Sequence, residues 1–207
     1  MKHQFYILYD EIYEKILYDG NEHVTLASYP ELRSRVVLLN GVSKTYAMTG
    51  WRIGYMVAPE PIIKACNKIQ SHTTSNPCSI SQRASVAALR LSAEVVSQMV
   101  AEFDKRRRFL TARLNDIPGV TCMLPGGAFY TFPNIKSYLG LLYNGRQIAN
   151  SMDLTSYLLE EAEVAVVPGE AFGSNIHIRI SYATSMQNLE AAIARMHNAL
   201  ATLRERQ

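Results

Sequence analysis

The chain has 207 residues, 48% hydrophobic and 19% charged, a balance that excludes a wholly disordered polypeptide. Against a norm of ~150 residues per domain, this length points to one domain or two small ones, with a core that needs no disulfide or metal staple. Lys plus Arg number 21 and Asp plus Glu 18, and a net charge of +3 gives no reason to expect nucleic acid or an anionic membrane as partner. No apolar run approaches the ~20 residues of a membrane helix, and the opening MKHQFYILYDE lacks the pattern of a signal peptide. Cys66, Cys78 and Cys122 lie far apart with no CxxC, which supports neither a disulfide framework nor a zinc knuckle. The expectation is a soluble protein of a reducing compartment, the cytoplasm.

In chain order, Phe5–Tyr9 (FYILY) reads as a buried strand ending in Asp10-Glu11. Val36–Leu39 (VVLL) is a second strand and Arg52–Ala58 (RIGYMVA) a third, closed by Pro59. Helices follow over Pro61–Ser71, with its proline start, and over Ser79–Leu91 after the Asn76-Pro77 break. A long helix from about Ala93 to Asp116 is expected to bury Val95, Val96, Met99, Val100, Phe103, Phe109, Leu110 and Leu114, and Ile117-Pro118-Gly119 stops it. Val120–Met123 and Ala128–Phe132 read as strands around Pro125-Gly126-Gly127. Leu154–Ala162 reads as a helix, Val164–Val167 and Ile176–Ile180 as strands, and Met186–Arg204 as a helix with an apolar stripe at steps of three and four. The fold class is α/β, with a seam near residues 90–100 that divides the chain into 1–92 and 93–207.

The chemistry concentrates in Gly41-Val42-Ser43-Lys44 and the following residues to Gly54. A lysine directly after a buried strand, between small residues, is poorly solvated, and desolvation favours a neutral amine able to act as nucleophile or base. Taken singly, a lysine is most often a surface residue and an arginine most often an ion-pair residue. Here Ser43 adds a hydroxyl and Arg52 a planar fork, the groups that hold a phosphate dianion. The run Lys105–Arg108 (KRRR) lies beside Phe103 and Phe109 and reads as a solvated helix face. The five histidines show no metal-ligand spacing, so no metal is expected.

Residues 41–54 resemble the lysine signature of class I/II pyridoxal-phosphate-dependent aminotransferases. Asp10-Glu11-Ile12-Tyr13-Glu14 and Asn76-Pro77 are similar to the aspartate-aminotransferase branch. The resemblance runs along nearly the whole chain but covers only the C-terminal half or so of a family member. It implies a part of the fold-type-I fold. Residues 1–92 would be the C-terminal part of the cofactor-binding large domain, with its strand at 52–57 antiparallel, and residues 93–207 a small α+β domain.

The resemblance also implies roles. Lys44 would be the catalytic residue, covalently anchoring pyridoxal 5'-phosphate and then carrying the proton between substrate and cofactor. Asp10 would pair with the pyridine nitrogen, Tyr13 would hydrogen-bond the phenolic oxygen, and Ser43 and Arg52 would grip the phosphate. Arg179 would hold the substrate α-carboxylate with two parallel hydrogen bonds, and Phe129 would close over the substrate. Without the resemblance, Arg179 on an apolar strand reads as a buried ion-pair residue, and Phe129 as core. The implied reaction moves an amino group between an L-amino acid, aspartate-like or aromatic, and a 2-oxo acid, in a homodimer. Carbon–sulfur lyases share the same lysine site, and a non-catalytic remnant that binds a partner through open sheet edges is the third reading. The phosphate-cradling loop and the ring-stacking aromatic of the family have no counterpart in the chain. The 207 residues alone are therefore expected to bind the cofactor weakly or not at all.

Overall fold

The computed structural model describes residues 3–205, so the outermost positions of the two expected domains, 1–2 and 206–207, lie outside it. Two compact units divide at Val100/Ala101. The first contains strands β1 (Ile7–Asp10), β2 (Val36–Gly41) and β3 (Gly54–Val57), followed by helices α1 (Glu60–Thr73) and α2 (Ser79–Leu89). β1 runs parallel to β2, with Ile7 opposite Val36 and Asp10 opposite Leu39. β3 is antiparallel to β2, with Leu38 opposite Val57 and Gly41 opposite Gly54. The β-branched run at Val36 and Val37 makes β2 the buried centre of the sheet. Both neighbours are edge strands, and neither is buried as its sequence suggests: Phe5, Tyr6 and Leu8 are exposed, as are Tyr55 and Val57. An apolar run specifies a strand that wants cover on both faces, but burial requires that the cover be present. α1 likewise carries its apolar residues Ile62, Ile63 and Cys66 only half-buried, with Ile69 exposed.

Helix α3 (Ala93–Asn115) contains the boundary, and the second unit continues with β4 (Tyr130–Thr131), β5 (Leu142–Tyr143), β6 (Arg146–Gln147), α4 (Ser151–Ala162), β7 (Val167–Pro168), β8 (Ile178–Ser181) and α5 (Met186–Leu200). The burial expected along α3 holds only toward its C-terminal end. Leu110 and Leu114 are buried, Phe103 and Phe109 half-buried, and Val95 exposed. β8 lies between β4 and β7 and is antiparallel to both, and its pattern of buried Ile178 and Ile180 fits the period of two. No strand forms over Val120–Met123; Thr121 makes a single antiparallel bridge to Asn134. The sequence reading missed the hairpin β5–β6. Its turn is Asn144-Gly145, at φ 48° and 80°, the positive-φ pair that a tight two-residue hairpin requires.

The KRRR run is not a uniformly solvated face. Arg107 is fully buried, donating from Nε to Asp104 Oδ1 (2.8 Å) and from Nη1 to the Pro125 carbonyl (2.7 Å). Arg108 donates to the other oxygen of Asp104 at 3.0 Å and stays exposed. Burial opposes ionisation of Asp104, but the hydrogen bonds from Arg108 and Arg107 outweigh it and hold the carboxyl below the usual carboxylate range. Among the described residues, no helix is long and apolar enough to cross a membrane.

Candidate functional site

The first unit gathers its chemistry at one edge of its sheet, and the strand directions explain why. β1 and β2 are parallel, so their C-terminal ends share an edge; Asp10 ends β1, and the turn carrying Ser43 and Lys44 follows β2. β3 is antiparallel, so its start, just after Arg52, lies at the same edge. Tyr13 sits in the turn after β1, where Glu11 N–H extends the ladder to the Leu39 carbonyl (2.9 Å) and Glu14 N–H closes on the Glu11 carbonyl (2.9 Å). The C-terminal edge of parallel strands is where open α/β sheets place ligands.

Local hydrogen bonds hold each piece. The lysine turn is closed by Tyr46 N–H to the Val42 carbonyl (3.3 Å), Ala47 N–H to the Lys44 carbonyl (3.2 Å) and Met48 N–H to the Ser43 carbonyl (3.1 Å). Beneath it Val42, Met48 and Ala88 form a small buried cluster against which Tyr46 and Ile53 pack. Lys44 and Ser43 are half-buried. Asp10 is exposed, and its Oδ1 accepts from Ile12 N–H at 3.0 Å. Gly41 is required where it stands, because a Cβ there would meet the Ile53 carbonyl oxygen at 2.8 Å. That close approach brings the end of β2 against the residues entering β3. Arg52, exposed, adopts a left-handed backbone (φ 57°) after the 3-10 turn Thr49–Trp51 and donates from Nη1 to the Thr49 carbonyl at 3.0 Å. Such a conformation costs a non-glycine residue of order 1–3 kcal/mol and clusters at ligand sites.

In the second unit, Arg179 is clamped between two rings, its guanidinium carbon 4.4 Å from the Tyr130 centroid and 4.5 Å from that of Phe172. Among the described residues no carboxylate forms an ion pair with it. The bland reading of Arg179, a buried pair with Asp or Glu, therefore finds no partner there. Stacked rings hold a guanidinium flat while leaving its fork free for a planar anion. Tyr130 and Phe172 were missed in the sequence; Tyr130 adjoins the aromatic that was singled out. That residue, Phe129, is 9% exposed and packs on Phe103 (5.4 Å between centroids) and Tyr130 (4.7 Å), as a core residue does.

The donor set in the first unit suits a phosphorylated pyridine aldehyde: a carboxylate for a ring nitrogen, a phenol, a primary amine, and a hydroxyl with a guanidinium for phosphate. These features describe an α/β protein whose first unit carries, at one sheet edge, groups that fit such a cofactor. The comparisons agree. The model of the aminotransferase class I and II family matches residues 1–196, and the chain belongs to that family. Its members depend on pyridoxal phosphate. A bifunctional aspartate aminotransferase and glutamate/aspartate-prephenate aminotransferase of Petunia hybrida is 48% identical over 96% of this chain and 42% of its own length. The aspartate aminotransferase of Geobacillus stearothermophilus is 46% identical over 95% of this chain and 49% of its own. The crystal structure of the aspartate aminotransferase of Rhizobium meliloti superposes with a TM-score of 0.90 at 46% identity, covering 96% of this chain and 50% of that one. The architecture is thus part of the fold-type-I fold, and the chain spans about half the length of the relatives it matches.

Proposed function

We propose that this chain carries the lysine-bearing side of a pyridoxal-phosphate-dependent aminotransferase site and acts in transfer of an amino group between an L-amino acid and a 2-oxo acid. The observation that supports this most is the β1–β2–β3 register, which sets Asp10, Tyr13, Ser43, Lys44 and Arg52 at one sheet edge. The cofactor supplies the electron sink that makes the substrate α-carbon acidic. The residues supply the rest. Lys44 anchors the cofactor and, once released, moves the proton at the α-carbon. Asp10 keeps the pyridine nitrogen protonated, and Tyr13 donates to the phenolic oxygen. Ser43 and Arg52 hold the phosphate, and Arg179, held flat by Tyr130 and Phe172, takes the substrate α-carboxylate. Residues 1–92 belong in this reading to the cofactor-binding large domain and residues 93–207 to the small domain.

The relatives named for aspartate and prephenate support an aspartate-like or aromatic substrate. A homodimer in the cytoplasm fits the same reading. The test adds pyridoxal 5'-phosphate to the chain, follows the visible absorbance band, and assays aspartate plus 2-oxoglutarate against cystathionine. The 207 residues alone should bind weakly and turn over negligibly, and any turnover should form glutamate. Cleavage of cystathionine in preference would transfer the reading to the carbon–sulfur lyases.

A further inference from the structure

We propose that Glu11, Glu14 and His23 form a binding site for one first-row divalent cation, Zn2+ or Mn2+, on the first unit. This goes beyond the aminotransferase reading and stands or falls without it. Glu11 and Glu14 are three residues apart in one turn, closed by Glu14 N–H on the Glu11 carbonyl (2.9 Å). The chain then reverses through Asp19 and Gly20, both at positive φ (57° and 74°), and returns with His23. The Tyr9 ring stacks on the imidazole (6.3 Å between centroids, 15° between planes) and sets its plane. The three donor atoms all lie within 4.8 Å of one another.

Two observations separate this cluster from an ordinary acidic surface. Glu11 is 5% exposed, so its carboxylate has given up water and needs a partner. Its Oε1 lies 3.2 Å from His23 Nε2, yet the geometry is not that of a hydrogen bond, and both atoms are buried without one. A separation of that size is the edge of a tetrahedron around a metal with bonds of 2.0–2.1 Å, roughly 3.3 Å. Second, two carboxylates face a single imidazole, and among the described residues no lysine or arginine forms an ion pair with either. A dication balances that charge, whereas a protonated histidine balances half of it. Two carboxylate oxygens with one imidazole nitrogen suit Zn2+ or Mn2+ better than Ca2+ or Mg2+, and three protein ligands leave a position open for water.

The test uses the full chain stripped with chelator. It is titrated with Mn2+ alone, followed by electron paramagnetic resonance, and with Zn2+ alone, followed by calorimetry. One equivalent should bind, and affinity should fall at least ten-fold in E14Q and in H23Q. Circular dichroism checks the fold of both; Glu14 and His23 are half-buried, so these variants avoid replacing the buried Glu11. Lowering the pH should release the ion, because the imidazole must be neutral to ligate. Absence of saturable binding, or equal affinity in E14Q, H23Q and the parent chain, overturns the proposal. A lower Tm in metal-free H23Q without any metal binding also overturns it, leaving only a buried ion pair.

Discussion

From Ala101 onward, Leu114, Leu154, Leu158, Ile178 and Tyr182 are all at 0% exposure, whereas among the hydrophobic residues described in the first unit only Val42 reaches that value. The first unit instead leaves Leu8 and Val57, on its two edge strands, and Phe5 just before β1 60% exposed or more. Helix α1 buries none of its residues. The second unit is held by packing, at ~25 cal/mol per Å2 of apolar surface removed from water. The first holds its chemistry by short-range hydrogen bonds in the turns at 10–14 and 42–48, so a site can be locally ordered where the surrounding faces are bare. Such faces favour association, since open edges and large apolar patches find partners.

Five substitutions, one of them followed through a pH titration, sharpen or break this contrast, and Trp51, the single tryptophan, makes the units separable, because its fluorescence reports the first unit. The largest effect is expected from Arg107→Ala, which removes a fully buried side chain and leaves Asp104 Oδ1 and the Pro125 carbonyl without their donor while Arg108 still holds Oδ2: about 3–5 kcal/mol in a urea transition followed by circular dichroism. The Trp51 transition should hold still. Leu158→Ala should cost about 2–5 kcal/mol in the same transition, against a change within about 0.5 kcal/mol for exposed Leu8→Ala in the Trp51 transition. Comparable losses at the two leucines would erase the distinction between the units. Asn150→Ala removes the side-chain oxygen that accepts from Asp153 N–H (2.9 Å) at the start of α4 and should cost about 1 kcal/mol.

The smallest effect is the pH response of Asp104. Its carboxyl is depressed in the folded chain by Arg108 and Arg107 against the opposing effect of burial. The unfolded state therefore binds the proton more readily, and this stability is present above the ordinary carboxylate pKa and lost as pH falls through the depressed one. Urea midpoints from pH 6 downward should show that loss in the parent and a smaller one in Asp104→Asn.

What was legible in the sequence was local. Val36–Leu39 declares a buried strand by composition, and residues 41–54 carry within a dozen or so positions the resemblance to the family that the chain belongs to. What was not legible depended on chain reversal or on which faces neighbouring elements cover. Nothing in the spacing of Glu11 and His23 shows that Asp19-Gly20 folds one onto the other. The KRRR run does not say which arginine turns inward, although Asp104 three residues before Arg107 was a usable signal. The Asn144-Gly145 turn was visible, but strands of two residues carry too short a pattern to read. Val120–Met123 has strand composition and pairs through one bridge, because a residue's preference for strand is realised only where a neighbour accepts its hydrogen bonds.

The reading rests on the amine of Lys44 as covalent anchor, and the most direct measurement is borohydride reduction of the chain mixed with pyridoxal 5'-phosphate, followed by peptide mapping. Reduced adduct concentrated on Lys44, weak in yield, and absent in Lys44→Ala is the expected result. Label spread evenly over Lys44 and the exposed Lys64, Lys68 and Lys105 would contradict it.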